Sequence, residues 1–178
     1  MDTKIIVALI AAFVSFIGLV ITKEQKVSEF RQDWINKLRE DISQLIGVLS
    51  LLGNAWAVVA NDYKKNSKVG DQFLSDNITS IKEIDTLISK SKLRLNPEDD
   101  KGLINILKEI EDLTSSPSKL SSKMFEKKVN ELEDECHLVF KTEWERVKSG
   151  ELFYRIVKYF VGSVMLLLLT IVVMMILH

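Results

Sequence analysis

The sequence predicts an all-α protein: two transmembrane helices, one towards each end, continuous with a cytoplasmic antiparallel four-helix bundle on a two-helix stalk. Three observations carry that prediction. Residues 160–177, FVGSVMLLLLTIVVMMIL, form an uninterrupted apolar run without a charge, and residues 5–21, IIVALIAAFVSFIGLVI, form a second. Eighteen residues at ~1.5 Å each span ~27 Å, most of a hydrocarbon core. Between the runs, apolar residues recur every three or four positions, and no proline interrupts residues 1–64.

The first span is placed at residues 5–22. Its apolar part exceeds the ~7 to 15 residues of a signal-peptide core, and no small-x-small site precedes Lys23, so an uncleaved anchor is expected. Small residues Ala8, Ala11, Ser15 and Gly18 fall three and four apart, on one face. In lipid such a stripe lets another helix approach closely, because van der Waals packing drives association there.

Residues 23–158 are expected to form a cytoplasmic helical domain, with helices over about 24–62, 71–94, 97–114 and 117–158. The first carries Val27, Phe30, Trp34, Leu38, Ile42, Leu45, Leu49, Leu52, Trp56 and Val59 at helical spacing and continues the membrane helix as one rod. The polar stretch 61–70, NDYKKNSKVG, ends it. The second has Leu74, Ile78, Ile81, Ile84 and Ile88 on its apolar side. Asn96, Pro97, Glu98 and Asp99 then read as a helix start, with Asn as N-cap, Pro in the first turn and acids against the dipole. The third is expected to bury Leu103, Ile106 or Leu107, Ile110 and Leu113. After Ser115–Pro117 punctuation the fourth carries Phe125, Val129, Leu132, Cys136, Val139 or Phe140, and Val147, runs into the second span at residues 159–177, and has Gly150 as its kink point. The long helices outreach the short ones by about twofold, so the short pair covers only the distal half of the long pair.

Lysine and arginine orient the chain. Lys23, Lys26, Arg31, Lys37 and Arg39 follow the first span, and Lys141, Arg146, Lys148, Arg155 and Lys158 precede the second. The positive-inside rule then puts the middle in the cytoplasm of a bacterial inner membrane and both termini outside, with Phe153, Tyr154, Tyr159 and Phe160 as an interfacial belt. Net charge is −1 and no basic–aromatic patch is present, so nucleic acid is not an expected partner. A single cysteine, Cys136, excludes an internal disulfide.

No phosphate loop, nucleophile elbow or HExxH motif occurs, so no catalytic residue, cofactor or metal is assigned and the chain is read as non-enzymatic. Glu133 and His137 stand at i and i+4, but no clear third ligand accompanies them.

The stalk has a predictable register. If both long helices rise equally from the membrane, Trp34 sits beside Trp144 or Arg146, Arg39 opposite Glu143, Arg31 opposite Glu151, and Asp41 opposite Lys141. The same blocks, EFRQDWINKLREDI at 29–42, RLNPEDD at 94–100 and KTEWERVKSGE at 141–151, resemble a group of small bacterial inner-membrane proteins, some carried by prophages and defence islands. That resemblance implies a role in phage exclusion or defence: an oligomeric effector or sensor acting at the membrane, with pore formation as one route. A scaffold holding a soluble partner at the membrane is the alternative. Expected partners are the lipid bilayer, further copies of the chain, and a soluble defence protein or phage component.

Overall fold

The computed structural model describes residues 3–150 and 152–177, and the side chains of most of them; Glu151 and the side chains of Ala8 and Phe153, singled out above, lie outside the described residues. The chain is all-helical, with no strand among the described residues. Helix α1 runs Thr3–Lys65 without a break, joining the first apolar run to the amphipathic segment after it. Helices α2 (Lys68–Asp76), α3 (Ile78–Arg94) and α4 (Lys101–Thr114) follow, then a 3-10 turn (Pro117–Lys119), α5 (Ser122–Ser149) and α6 (Leu152–Leu177).

Local chemistry moves several boundaries. The helix expected over 71–94 is divided at Asn77, whose backbone leaves the helical region at φ −105° and ψ 17° and whose Nδ2 donates at 2.9 Å to the Phe73 carbonyl, which also accepts the Asn77 backbone N–H. The helix expected from 97 starts at Lys101. Asn96 does not cap it; the Asn96 side chain accepts from the Glu98 N–H, and the Asp100 carboxylate accepts from the Asn96 N–H, closing a turn before the first helical residue. The largest change concerns 117–158, which is not continuous with the second apolar run. Helix α5 stops at Ser149 because Gly150 adopts φ +73°, a conformation that excludes most side chains, and its N–H bonds the Arg146 carbonyl in a left-handed helix cap.

Two compact units result, Trp34–Thr142 and Met1–Asp33 with Glu143–His178. The Trp34–Thr142 unit holds a single core. Helix α1 supplies Leu38, Ile42, Leu45, Leu49, Leu52 and Trp56; α3 supplies Ile84, Leu87 and Ile88; α4 supplies Leu103, Leu107 and Ile110; α5 supplies Phe125, Leu132 and Cys136. Trp56 stacks edge-on against Phe73 of α2, ring centroids 5.0 Å apart. Helices α1 and α5 approach so closely at Gly53 that a Cβ there would lie 2.9 Å from the Cβ of Phe125.

The second unit, Met1–Asp33 with Glu143–His178, has no comparable core among the described residues. Ile17 and Val27 of α1 and Tyr154, Val157, Val161 and Val164 of α6 are half-buried, and Val20 is buried. The remaining large apolar side chains described there, among them Phe13, Phe16, Leu19, Ile156, Phe160, Met165 and Leu166, are exposed. Phe30 is exposed as well, so the buried stripe of α1 passes through Arg31 and Ile35 instead of through the expected Phe30.

Candidate functional site

Two polar clusters lie at the residues singled out for stalk register, one in each unit. In the Trp34–Thr142 unit, Trp34 and Asp41 stand seven residues apart on α1 and meet the end of α3. The Trp34 indole N–H donates to the Arg94 carbonyl at 2.9 Å, satisfying one of the carbonyls that the last turn of α3 leaves without a helical partner. The Arg94 guanidinium donates from Nε to Asp41 Oδ2 at 2.9 Å, with the Asp41 side chain 11% exposed. A cation in the last turn of a helix also complements the dipole.

This geometry gives Asp41 another partner than the expected one: it takes Arg94, while Lys141 is exposed. In the same unit the Arg39 guanidinium sits over the Phe140 ring at 5.2 Å and donates to Asn36. In the other unit the Lys148 ammonium lies over the Trp144 ring, 5.6 Å from its centroid. Arg94 was missed as a site residue. The available signal was an arginine in the last turn of a helix, facing an acid on the neighbouring long helix.

In the other unit Glu143 is the centre. Its Oε2 accepts from Arg31 at 2.5 Å and its Oε1 from Arg146 at 2.6 Å, with the carboxylate side chain 13% exposed. Arg31 thus meets Glu143, and the expected pairing of Arg31 with Glu151 falls on a residue outside the described ones.

The small-residue face is open. Ala11, Ser15 and Gly18 are exposed, and nothing stands within 4 Å of where a Gly18 Cβ would be. The half-buried positions of α1 lie on its other side, at Ile17, Val20 and Val27.

Elsewhere, Lys128 on α5 is buried and bonds the carboxylates of Glu109 and Glu131. Those hydrogen bonds, Glu109 first, hold its pKa above the ordinary value of 10.5, while the bond from Lys128 holds Glu131 below 4.5. An open cleft of about 540 Å³ adjoins this cluster, lined by Lys108, Asp112, Lys119 and Met124 among others. The Cys136 thiol is buried in the core, and desolvation pushes its pKa up to about 12, the behaviour of a packing residue and not of a nucleophile. No group of three or more metal-ligating side chains occurs among the described residues, and His137 is exposed beside Glu133.

These clusters join helices. They contain paired acids and bases without a nucleophile poised against them. No family model matches the chain, and no curated protein or solved structure does either.

Proposed function

We propose that the chain is a non-enzymatic membrane protein of the bacterial inner membrane, anchored by both apolar runs and holding its helical domain in the cytoplasm. In that arrangement the domain is an antiparallel four-helix bundle on a two-helix stalk, and both termini are extracytoplasmic. The observation that carries the reading is the exposure of the apolar side chains of α1 and α6. Leu19 is 70% and Leu166 65% exposed, while Leu38, Leu45, Leu49, Leu103, Leu107 and Leu132 of the Trp34–Thr142 unit are closed away from solvent. Water penalises such surface at roughly 25 cal/mol per Å², and a hydrocarbon solvent does not. Among the described residues α1 is long and apolar enough to cross a bilayer.

Its role is that of an oligomeric effector or sensor in phage exclusion or defence, acting at the membrane. The open Ala11, Ser15 and Gly18 face supports assembly, since a helix can approach it without displacing a partner already there. Alkaline phosphatase fused after His178 should be active, and inserted near Ser67 inactive. Induction during phage challenge should admit a membrane-impermeant dye and arrest growth. Recovery of the full chain in the soluble fraction refutes the membrane reading, and intact membranes under challenge refute the effector role.

A further inference from the structure

Residues 42–61 of α1 contain no charged residue, in a chain of which 28% is charged. One side of that stretch is core: Leu45, Leu49, Leu52 and Trp56 are buried. The opposite side faces outward and is equally uncharged. Gln44, Gly47, Leu51, Asn54, Val58 and Asn61 follow each other at intervals of three and four, all exposed, Leu51 at 65% and Val58 at 80%. Neighbouring helices meet solvent with charges, as Lys82 and Asp85 do on α3 or Lys108 and Glu111 on α4.

Gly47 points the same way. It lies inside a helix, where glycine is less favourable than alanine, and nothing approaches within 4 Å of where its Cβ would be. The fold of one chain makes no use of the missing side chain. Gly53, by contrast, is pressed against Phe125. A glycine on an outward helix face suits the close approach of another backbone.

Beside this seam runs a groove between α1 and α5, about 360 Å³, walled by Ser50, Gly53 and Asn54 on one side and Ser122, Glu126 and Asn130 on the other. The face therefore carries a ridge, Leu51 and Val58, next to a groove. A two-fold axis parallel to α1 places the ridge of each copy over the groove of the other, and the same surface serves both sides. Neither copy brings a charge from α1 into the contact, the charges of the groove being Lys123 and Glu126 of α5, one of each sign, and a strongly charged partner would find no complement along α1. Asn54 falls near the axis, and its amide both donates and accepts, so it can bond to itself across the axis and fix the register.

We propose that this α1 face, centred on Asn54, is where two copies of the chain associate, side by side and parallel, with Leu51 and Val58 of each copy seated in the α1–α5 groove of the other. The contact lies wholly within the Trp34–Thr142 unit. It adds a site to the proposed oligomer without resting on the membrane reading, although parallel association keeps both α1 N-termini at one end, as anchorage in one bilayer needs.

The test is disulfide trapping in the full chain, in its own membranes, with Asn54→Cys, Val58→Cys and, as control on the exposed side of α3, Glu83→Cys. The buried Cys136 stays in place, and the unsubstituted chain gives the background. Mild oxidation should yield chain–chain dimers at 54 and 58 at least about tenfold faster than at 83, as held contact demands. Adding Leu51→Lys and Val58→Lys to Asn54→Cys should remove that advantage, with helicity by circular dichroism unchanged because both positions are exposed. Equal rates at all three sites, trapping of a different protein at 54, or an undiminished rate in the lysine variant overturns the proposal. Dimers trapped from a chain found in the soluble fraction would uphold this contact and reject the membrane reading.

Discussion

The two compact units treat the same amino acid in opposite ways. Leu38, Leu45, Leu49, Leu103 and Leu107 have no exposed surface, whereas Leu19, Leu166 and Leu167 are left largely open. Apolar content does not separate them, since both units use leucine, isoleucine and valine freely. Pattern does. In the Trp34–Thr142 unit apolar residues recur at three and four with polar or charged residues among them, so each helix has one face to bury and neighbours to bury it against. In the other unit the runs are apolar all round, and two helices can cover only one stripe of each other.

Truncating the core should break the contrast most visibly. Leu107→Ala is expected to lower the unfolding free energy of the Trp34–Thr142 unit by about 2–5 kcal/mol, through lost transfer energy and a cavity. Leu166→Ala should leave it within about 0.5 kcal/mol, since surface changes away from a packed core seldom do more. Denaturation of the full chain in detergent, followed by circular dichroism, measures both. Equal losses would mean that the exposed leucines pack in solution.

Glycines give a smaller test on one helix. Gly53→Ala should cost about 1–3 kcal/mol because its Cβ would strike Phe125. Gly47→Ala, with open space around it, should raise helix stability by up to about 1 kcal/mol under conditions where the chain is monomeric. Thermal melts of the two variants should therefore move in opposite directions.

The buried Lys128 gives the polar part of the core a pH signature. Its folded pKa is raised, so its contribution is complete below 10.5 and is lost as pH climbs through the higher folded value. Glu131 is lowered, so its contribution is present above 4.5 and is lost as pH falls through the depressed value. Stability should stay level between those limits and fall outside them. Lys128→Met should flatten the alkaline fall in a plot of melting temperature against pH.

Glu143→Gln is expected to have the smallest effect, about 0.2–1 kcal/mol, as ion pairs with solvent access contribute little. Its use is in sharpening the register: Arg31→Glu with Glu143→Arg should recover what either single exchange loses, and Arg39→Glu with Glu143→Arg should not. Recovery by the second pair instead would restore the expected register and displace the Arg31 pairing.

Much of the chain was legible in advance for a plain reason. Helical spacing is a local property, and the stripes Leu38–Leu45–Leu49–Leu52 and Leu103–Leu107–Ile110–Leu113 are buried as their periodicity demands. A break such as Asn77 was not legible, because an asparagine is tolerated inside a helix and marks a break only where its backbone dihedrals leave the helical region. The site divided along the same line. Trp34, Asp41, Arg31 and Glu143 were recognisable as residues that join helices, since tryptophans and paired charges sit in short blocks on the long helices.

What the sequence by itself determined is therefore the helical class, the apolar runs and the core stripes, all set by residues within a few turns of each other. Only the tertiary structure decided the partners. Arg94 reaches Asp41 because α3 ends beside α1, and Arg31 reaches Glu143 because α1 and α5 lie side by side there. Pairings between residues 53 or 112 positions apart depend on how every intervening break adds up, and no local rule of spacing contains that sum.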